Sequence, residues 1–133
     1  MTKRLTLGMV ISVFLAPASS AATWTVTNTN DSGSGSLRNA IGSAGSGDTV
    51  NFSLTYPATI TLTSGTLSIG RNLTISGQGS SNLTISGNGA FTVVTIGAVN
   101  VNISGVTITG GAVNYTSGNG GGHLQLWHAD ANQ

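Results

Sequence analysis

Acid–base and metal chemistry in proteins depends on carboxylates, imidazoles and thiols, and this chain has few of them. Its 133 residues include 3 acidic residues, 2 histidines and no cysteine. These are Asp31, Asp48, Asp130, His123 and His128. Hydrolysis of a glycosidic bond needs a carboxylate on each side of the bond, and calcium needs several oxygen ligands. Residues 59–122 can supply neither set, because Arg71 is the one charged residue in that segment.

The charged residues nearer the N-terminus are predicted to have structural roles. Asp31 and Asp48 lie in loop-like segments, where an Asp side chain commonly accepts hydrogen bonds from nearby backbone amides. Arg38 is expected to be solvated or to anchor a turn. We therefore predict no catalytic residue, no cofactor and no metal site in the chain.

The composition excludes further classes of function. Only 5% of the residues are charged and the formal net charge is +1, far from the basic balance that contacts with a phosphate backbone require. Without cysteine there is no disulfide framework, thiolate zinc site or thiol nucleophile. Gly, Ser, Thr, Asn, Val and Ile dominate, and these are residues of strands and turns. We expect an all-β protein that has no nucleic-acid partner.

The N-terminus has the layout of a secretory signal peptide. Two basic residues precede an apolar run at residues 5–15, and small residues follow that run. The run is shorter than the roughly 20 residues of a membrane-spanning helix, and the small residues suit cleavage after Ala21 or Ala22. An uncleaved membrane anchor is the alternative. We predict that residues 1–22 are removed, which leaves an exported domain without a transmembrane segment, located outside the cell or on its outer surface.

From residue 59 onward, one short pattern recurs. Thr61, Thr84 and Thr107 are the central residues of three similar segments, at intervals of 23 residues. In each segment aliphatic residues alternate with Thr or Ser, which places the two kinds on opposite faces of a strand. A period in the twenties built from short strands and glycine turns is typical of a solenoid. The alternative, an antiparallel sandwich, gives hairpins no reason to repeat at a fixed length.

The pattern therefore predicts a parallel β-helix of about three turns over residues 59–122. Two internal columns are expected, one of Ile60, Leu83 and Val106 and one of Leu62, Ile85 and Ile108. Residues 23–58 are predicted to form an N-terminal cap. Within the cap, Ser36 is a good N-cap residue for a short amphipathic helix that would cover the first open turn. The apolar face of that helix would consist of Leu37, Ala40, Ile41 and Ala44.

Five segments of the chain carry a resemblance to a known group of proteins. They are residues 26–41, Asp48-Thr-Val-Asn-Phe52, Ile60-Thr-Leu62, Leu73-Thr-Ile-Ser-Gly77 and residues 103–111. Together they resemble the N-terminal region of exported bacterial right-handed β-helix proteins, which overlap with the polymorphic outer-membrane protein repeats and share the pectin-lyase-like fold. The resemblance implies a right-handed β-helix and export. It implies little about activity, because members include adhesin-like surface proteins as well as polysaccharide lyases and hydrolases.

Three functions remain open from the sequence. The first is a non-enzymatic exported or cell-surface segment, structural or adhesin-like, whose partners are surface carbohydrate or other cell-surface components. The second is the N-terminal piece of a polysaccharide lyase or hydrolase whose catalytic turns are missing. The third is ice binding, because the Thr-x-Thr and Thr-x-Ser segments around Thr61, Thr84 and Thr107 resemble the regular arrays of ice-binding solenoids. Ordinary β-propensity explains the same threonines more simply.

The repeat stops at residue 122, where the reading frame is predicted to be broken. Residues 123–133 contain both histidines and Asp130 but lack the repeat pattern. Codons can be chosen for these residues so that the same string, read one base later, encodes a further Thr- and Leu-rich turn, and at some positions, such as Trp127 followed by His128, the shifted residue is fixed. We predict an out-of-frame tail, without a native metal-binding role for His123, His128 or Asp130, on a fragment of a longer solenoid.

Overall fold

The computed structural model describes residues 20–115 and the backbone of Leu124–Trp127. Within these limits the chain forms one short helix and eleven short strands. In chain order they are β1 (Thr23–Val26), α1 (Leu37–Ser43), β2 (Asp48–Phe52), β3 (Ala58–Thr61), β4 (Leu67–Ile69), β5 (Leu73–Ser76), β6 (Leu83–Ser86), β7 (Val94–Ile96), β8 (Val101–Ser104), β9 (Thr107–Thr109), β10 (Val113–Tyr115) and β11 (Leu124–Trp127).

The strands pair in parallel and form three sheets. Sheet I has the order β1-β2-β5-β8-β11, sheet II the order β3-β6-β9 and sheet III the order β4-β7-β10. The chain visits sheets I, II and III in rotation, so β2 to β4, β5 to β7 and β8 to β10 are three successive turns. This confirms the predicted parallel β-solenoid of about three turns.

The core lies between the three sheets. From β1 to β9 the aliphatic residues of the strands are buried and alternate with more exposed positions, as in β6, where Leu83 and Ile85 are 0% and 2% exposed. Burying a side chain of this size contributes about 1.5–3 kcal/mol. Because each turn adds its own aliphatic residues, the core extends along the axis as one continuous cluster.

The register of sheet II differs from the predicted one by two residues in its first strand. Thr59, not Thr61, pairs with Thr84, and Thr84 pairs with Thr107. The first interval is therefore 25 residues, from 59 to 84, and the second is 23, from 84 to 107. An alternating pattern keeps its faces when it slides by two residues, so the sequence could not distinguish these registers.

The register also changes the predicted internal columns. Ile60 pairs with Ile85, which pairs with Ile108, and Ala58 pairs with Leu83. The first-turn member of each predicted column is therefore wrong, although Ile60 and Leu62 are both buried. Ala58 stands beside Leu83 where Ile60 was predicted, and Ile60 stands beside Ile85 where Leu62 was predicted. Alternation assigned these side chains to the correct face, and the predicted pairing of Ile85 with Ile108 is confirmed, but the neighbours across the first two strands of sheet II were displaced.

The predicted capping helix is present. Ser36 precedes α1, and its hydroxyl accepts a hydrogen bond from the Asn39 amide at 3.2 Å. The helix buries Leu37, Ala40 and Ile41, and Ala44 follows them into the core. Beyond the helix, β2 pairs with both β1 and β5, so sheet I already begins within the segment that was assigned to the cap.

Two strands near the C-terminal end of the described segment need comment. Before β7, which begins at Val94, the amide of Phe91 donates to the carbonyl of Gly87 and closes a turn. The strand β10 was not predicted. In the segment predicted to be out of frame, the backbone of β11 pairs with β8. The fold does not test the reading frame, which stays a prediction, and His123, His128 and Asp130 lie outside the described residues.

Candidate functional site

Arg38 ties the capping helix to the first turn of the solenoid. Its Nη2 donates to Asp31 Oδ1 at 2.9 Å and to the carbonyl of Gly65 at 2.6 Å, and its Nη1 donates to the carbonyl of Thr66 at 3.0 Å. The Arg38 side chain is 26% exposed and that of Asp31 is 10% exposed. Arg38 therefore anchors a turn, one of the two roles considered for it from the sequence.

Asp31 completes the same junction. Its Oδ1 accepts from the Thr63 amide at 3.1 Å, and its Oδ2 accepts from the Ser64 hydroxyl. Burial alone would raise the pKa of Asp31, but the hydrogen bonds from Ser64, Arg38 and Thr63 outweigh it and lower this pKa to about 2. These partners are not local, as the sequence had suggested, because Thr63 lies 32 residues further along the chain.

Asp48 holds the other side of the cap. Its carboxylate accepts from the Ala22 amide at 2.8 Å, from Trp24 Nε1 at 2.9 Å and from the Gly45 amide at 2.7 Å. The hydrogen bond from Trp24, followed by those from Ala22 and Gly45, keeps the pKa of Asp48 below its usual range. Only the bond to Gly45 is local, so the predicted role in a turn describes part of what Asp48 does.

Neither carboxylate has the environment of a general acid. A carboxyl group that protonates a glycosidic oxygen needs a raised pKa, and both of these pKa values are lowered.

Across residues 20–115, no three His, Asp or Glu residues come together in a way that could hold a metal ion. In that same part of the chain, no helix is long and apolar enough to cross a membrane.

The outward-facing strand positions of the solenoid all carry uncharged polar side chains. The strand positions between the buried aliphatic residues carry only Thr, Ser or Asn from β1 to β10. In sheet II they form two columns, Thr59–Thr84–Thr107 and Thr61–Ser86–Thr109. Adjacent members of a column are about 4.8 Å apart, the spacing of paired strands. The face is therefore a regular array of hydroxyl groups with interspersed amides.

A polar groove adjoins this array at the cap. It has a volume of about 650 Å³ and lies between the loop at residues 27–30 and the segment at residues 53–59. It is lined by Thr27, Asn28, Thr29, Asn30, Ser53, Leu54, Thr55, Pro57, Ala58 and Thr59. None of these side chains is charged. Because Thr59 also begins the first column of sheet II, the groove opens onto the hydroxyl array.

The groove was not predicted from the sequence. One of its walls depends on Asn28, whose side chain donates to the carbonyl of Ser34 and accepts from the Asn30 amide. Closely spaced Asn and Thr residues indicated a loop at residues 27–30, but only the fold brings that loop beside residues 53–59.

No protein-family model, curated protein or solved structure matches the chain. The fold and the site together define a parallel β-solenoid that presents uncharged hydroxyl and amide groups. Any assignment of function therefore depends on the chemistry of these surfaces.

Proposed function

We propose that this protein is a non-enzymatic, exported β-solenoid, adhesin-like in role, that binds uncharged carbohydrate at the outer cell surface or outside the cell. The observation that carries the proposal is the outward face, where every strand from β1 to β10 presents only Thr, Ser or Asn. Hydroxyl and amide groups donate and accept hydrogen bonds without charge, and this matches the hydroxyl groups of a neutral sugar. The repeated spacing suits a partner that is itself a repeating polymer.

The groove gives such a polymer a place to enter. Asn28 and Asn30 supply amides on one wall, and Thr59 leads from the opposite wall to the column of Thr84 and Thr107. A sugar chain that occupied the groove would continue along sheet II without meeting a charged side chain.

Export and a non-enzymatic role have separate support. The signal-peptide layout of residues 1–22 and the resemblance to exported bacterial right-handed, pectin-lyase-like proteins support export. The engagement of Asp31 and Asp48 in the cap, with lowered pKa values, supports a role that does not involve catalysis.

Binding to insoluble and arrayed polysaccharides tests the proposal. We expect retention of the exported chain on at least one neutral polymer, and a loss of about tenfold or more in affinity when Thr59→Val and Thr84→Val are combined, since two hydrogen bonds of about 1 kcal/mol are removed. Valine keeps the β-branched shape, so the strands should persist.

The matched controls are Thr84→Ser, which keeps the hydroxyl group, and Thr95→Val on sheet III. Both should bind like the unsubstituted chain. A double variant that binds as well as the original would contradict the assignment to the groove and sheet II, and cleavage of pectin, alginate or a related polymer would contradict the non-enzymatic role.

The register of sheet II also favours ice as a second candidate. Two columns of hydroxyl-bearing residues in register over three strands form a regular array. A thermal hysteresis measurement decides between the candidates, because carbohydrate binding alone produces no hysteresis.

A further inference from the structure

Ala22 lies at the predicted cleavage site, and both its amide and its carbonyl form hydrogen bonds within the fold. Its amide donates to Asp48 Oδ1 at 2.8 Å, and its carbonyl accepts from the Thr49 amide at 2.9 Å. Thr49 also pairs with Thr23 in the register of β1 and β2. Ala22 therefore extends this pairing by one residue, although the sequence had assigned it to the leader.

Asp48 is a nearly buried carboxylate that accepts hydrogen bonds from three neutral donors. The residue is 8% exposed, and its three hydrogen bonds come from two backbone amides and the Trp24 indole. Within residues 20–115 the ion pair joins Arg38 to Asp31 and does not involve Asp48. A buried carboxylate is held better by an opposite charge than by dipoles alone.

We infer that removal of the leader supplies this charge: hydrolysis of the Ala21–Ala22 peptide bond by a signal peptidase frees an α-ammonium group on Ala22 that pairs with Asp48. In that step water adds across the amide bond. The carboxylate remains on Ala21 with the leader, and the nitrogen of Ala22 becomes the ammonium group. The inference rests on the proposed export.

The geometry also selects one of the two permitted cleavage positions. Cleavage after Ala21 leaves the nitrogen of Ala22 within hydrogen-bonding distance of Asp48, whereas cleavage after Ala22 removes the residue that makes this contact. Small residues alone permit either position. Pairing with Asp48 would therefore link processing of the leader to the stability of the cap.

The pairing has a defined dependence on pH. Another charged side chain on the elements around Asp48 is Arg71, which donates to the carbonyl of Ala44 next to Gly45. The carboxylate should raise the pKa of the Ala22 amino group above its ordinary value of about 8. A raised pKa means that the stabilisation is complete below about pH 8 and is lost as the pH rises through the folded-state value.

Chains that differ only in their first residue test the inference. Chains beginning at Ala21, Ala22 and Thr23 and ending at Gln133 can be released from a fusion partner by a protease that leaves no extra residue. We expect the Ala22 chain to have the highest Tm at pH 7. Its advantage over an N-acetylated Ala22 chain should disappear as the pH rises above about 8. Equal Tm values for the free and acetylated chains at every pH would overturn the ion pair.

Two variants show which carboxylate is responsible. Asp48→Asn should abolish the difference between the free and acetylated chains, and Asp31→Asn should preserve it. If Asp48→Asn fails to fold, the pH dependence of the free chain against the acetylated chain still decides the question.

Failure of the pairing can be distinguished from failure of the proposed function. The fusion-derived chains report on the ion pair whether or not the protein is exported or binds carbohydrate. N-terminal sequencing of the chain secreted by a bacterial host reports on processing, and we expect it to begin at Ala22. A secreted chain that begins at Thr23 would overturn the cleavage assignment, and a chain that stays inside the cell with its leader attached would overturn the proposed export.

Discussion

The charged side chains between residues 20 and 115 all serve the N-terminal cap. Arg38 and Asp31 join it to the first turn, Asp48 holds β1 and the loop that follows α1, and Arg71 donates to the carbonyl of Ala44. A solenoid must close its first turn without the help of a preceding one. In this chain, charge-assisted hydrogen bonds perform that task.

Asp31→Asn should destabilise the fold by about 1–2 kcal/mol at pH 7, because it weakens hydrogen bonds to a charged group. The pKa of Asp31 is lowered from 3.8 to about 2, so its contribution is complete above about pH 4 and is lost as the pH falls towards 2. Urea denaturation of both chains from pH 7 to pH 2 measures this. A stability difference that stays constant over that range would show that the Asp31 charge is not responsible.

The sequence could predict local contacts of single residues but not distant ones. Ser36 was recognised as a helix cap because its partner, Asn39, lies three residues away. The contacts of Asp31 with Thr63 and Ser64 form only when the first turn folds back against the cap. No local pattern encodes that approach.

Strand register is the element-scale feature that the sequence left undetermined, and cysteine cross-linking measures it. The chain has no cysteine, so introduced pairs react without competition. Residues in register are about 4.8 Å apart, within the range that a disulfide spans. We expect Thr59→Cys with Thr84→Cys to cross-link on oxidation and Thr61→Cys with Thr84→Cys to cross-link poorly. The reverse result would restore the register predicted from the interval of 23 residues.

Close stacking of the turns requires a residue without a Cβ atom at Gly77. A Cβ atom there would overlap the carbonyl oxygen of Gly105 in the next turn and lie 2.6 Å from Val106 Cγ1. Gly77→Ala should therefore cost about 1–3 kcal/mol in thermal or urea unfolding. Gly70→Ala is the matched control, since a Cβ at Gly70 meets nothing within 4 Å, and it should change stability by less than about 0.5 kcal/mol. Equal effects at the two glycines would mean that the turns do not stack this closely.

Alternation explains why the faces of the strands were predictable and the groove was not. A period of two residues assigns each side chain to the core or to solvent, and this held for β2, β5 and β6. The groove instead depends on the connection between β2 and β3, which has no period and lies against the loop that contains Asn28. Its shape arises from tertiary contacts alone.

At the scale of the whole molecule, charged side chains are unevenly distributed along the solenoid axis. One end contains the cap with Asp31, Arg38 and Asp48, and Arg71, which follows β4, donates to the carbonyl of Ala44 in the cap. The strands from β3 to β10 contain no charged residue. The fold thus keeps charged side chains off the strands of sheet II that are proposed to bind a partner, whereas the proposed groove shares the loop at residues 27–30 with the cap. Substitutions on sheet II can therefore be made without disturbing the ion pair of Arg38 and Asp31.

The absence of charge from these strands sets how the surface responds to ionic strength. Dissolved ions screen attraction between charges, and at about 1 M salt the screening length falls to about 3 Å. Hydrogen bonds between neutral hydroxyl and amide groups involve no such attraction. Retention on a neutral polysaccharide should therefore be the same in dilute buffer and in about 1 M sodium chloride, and elution by salt would show that charged groups take part. A surface of this kind would hold its partner equally well in fresh water and in brine.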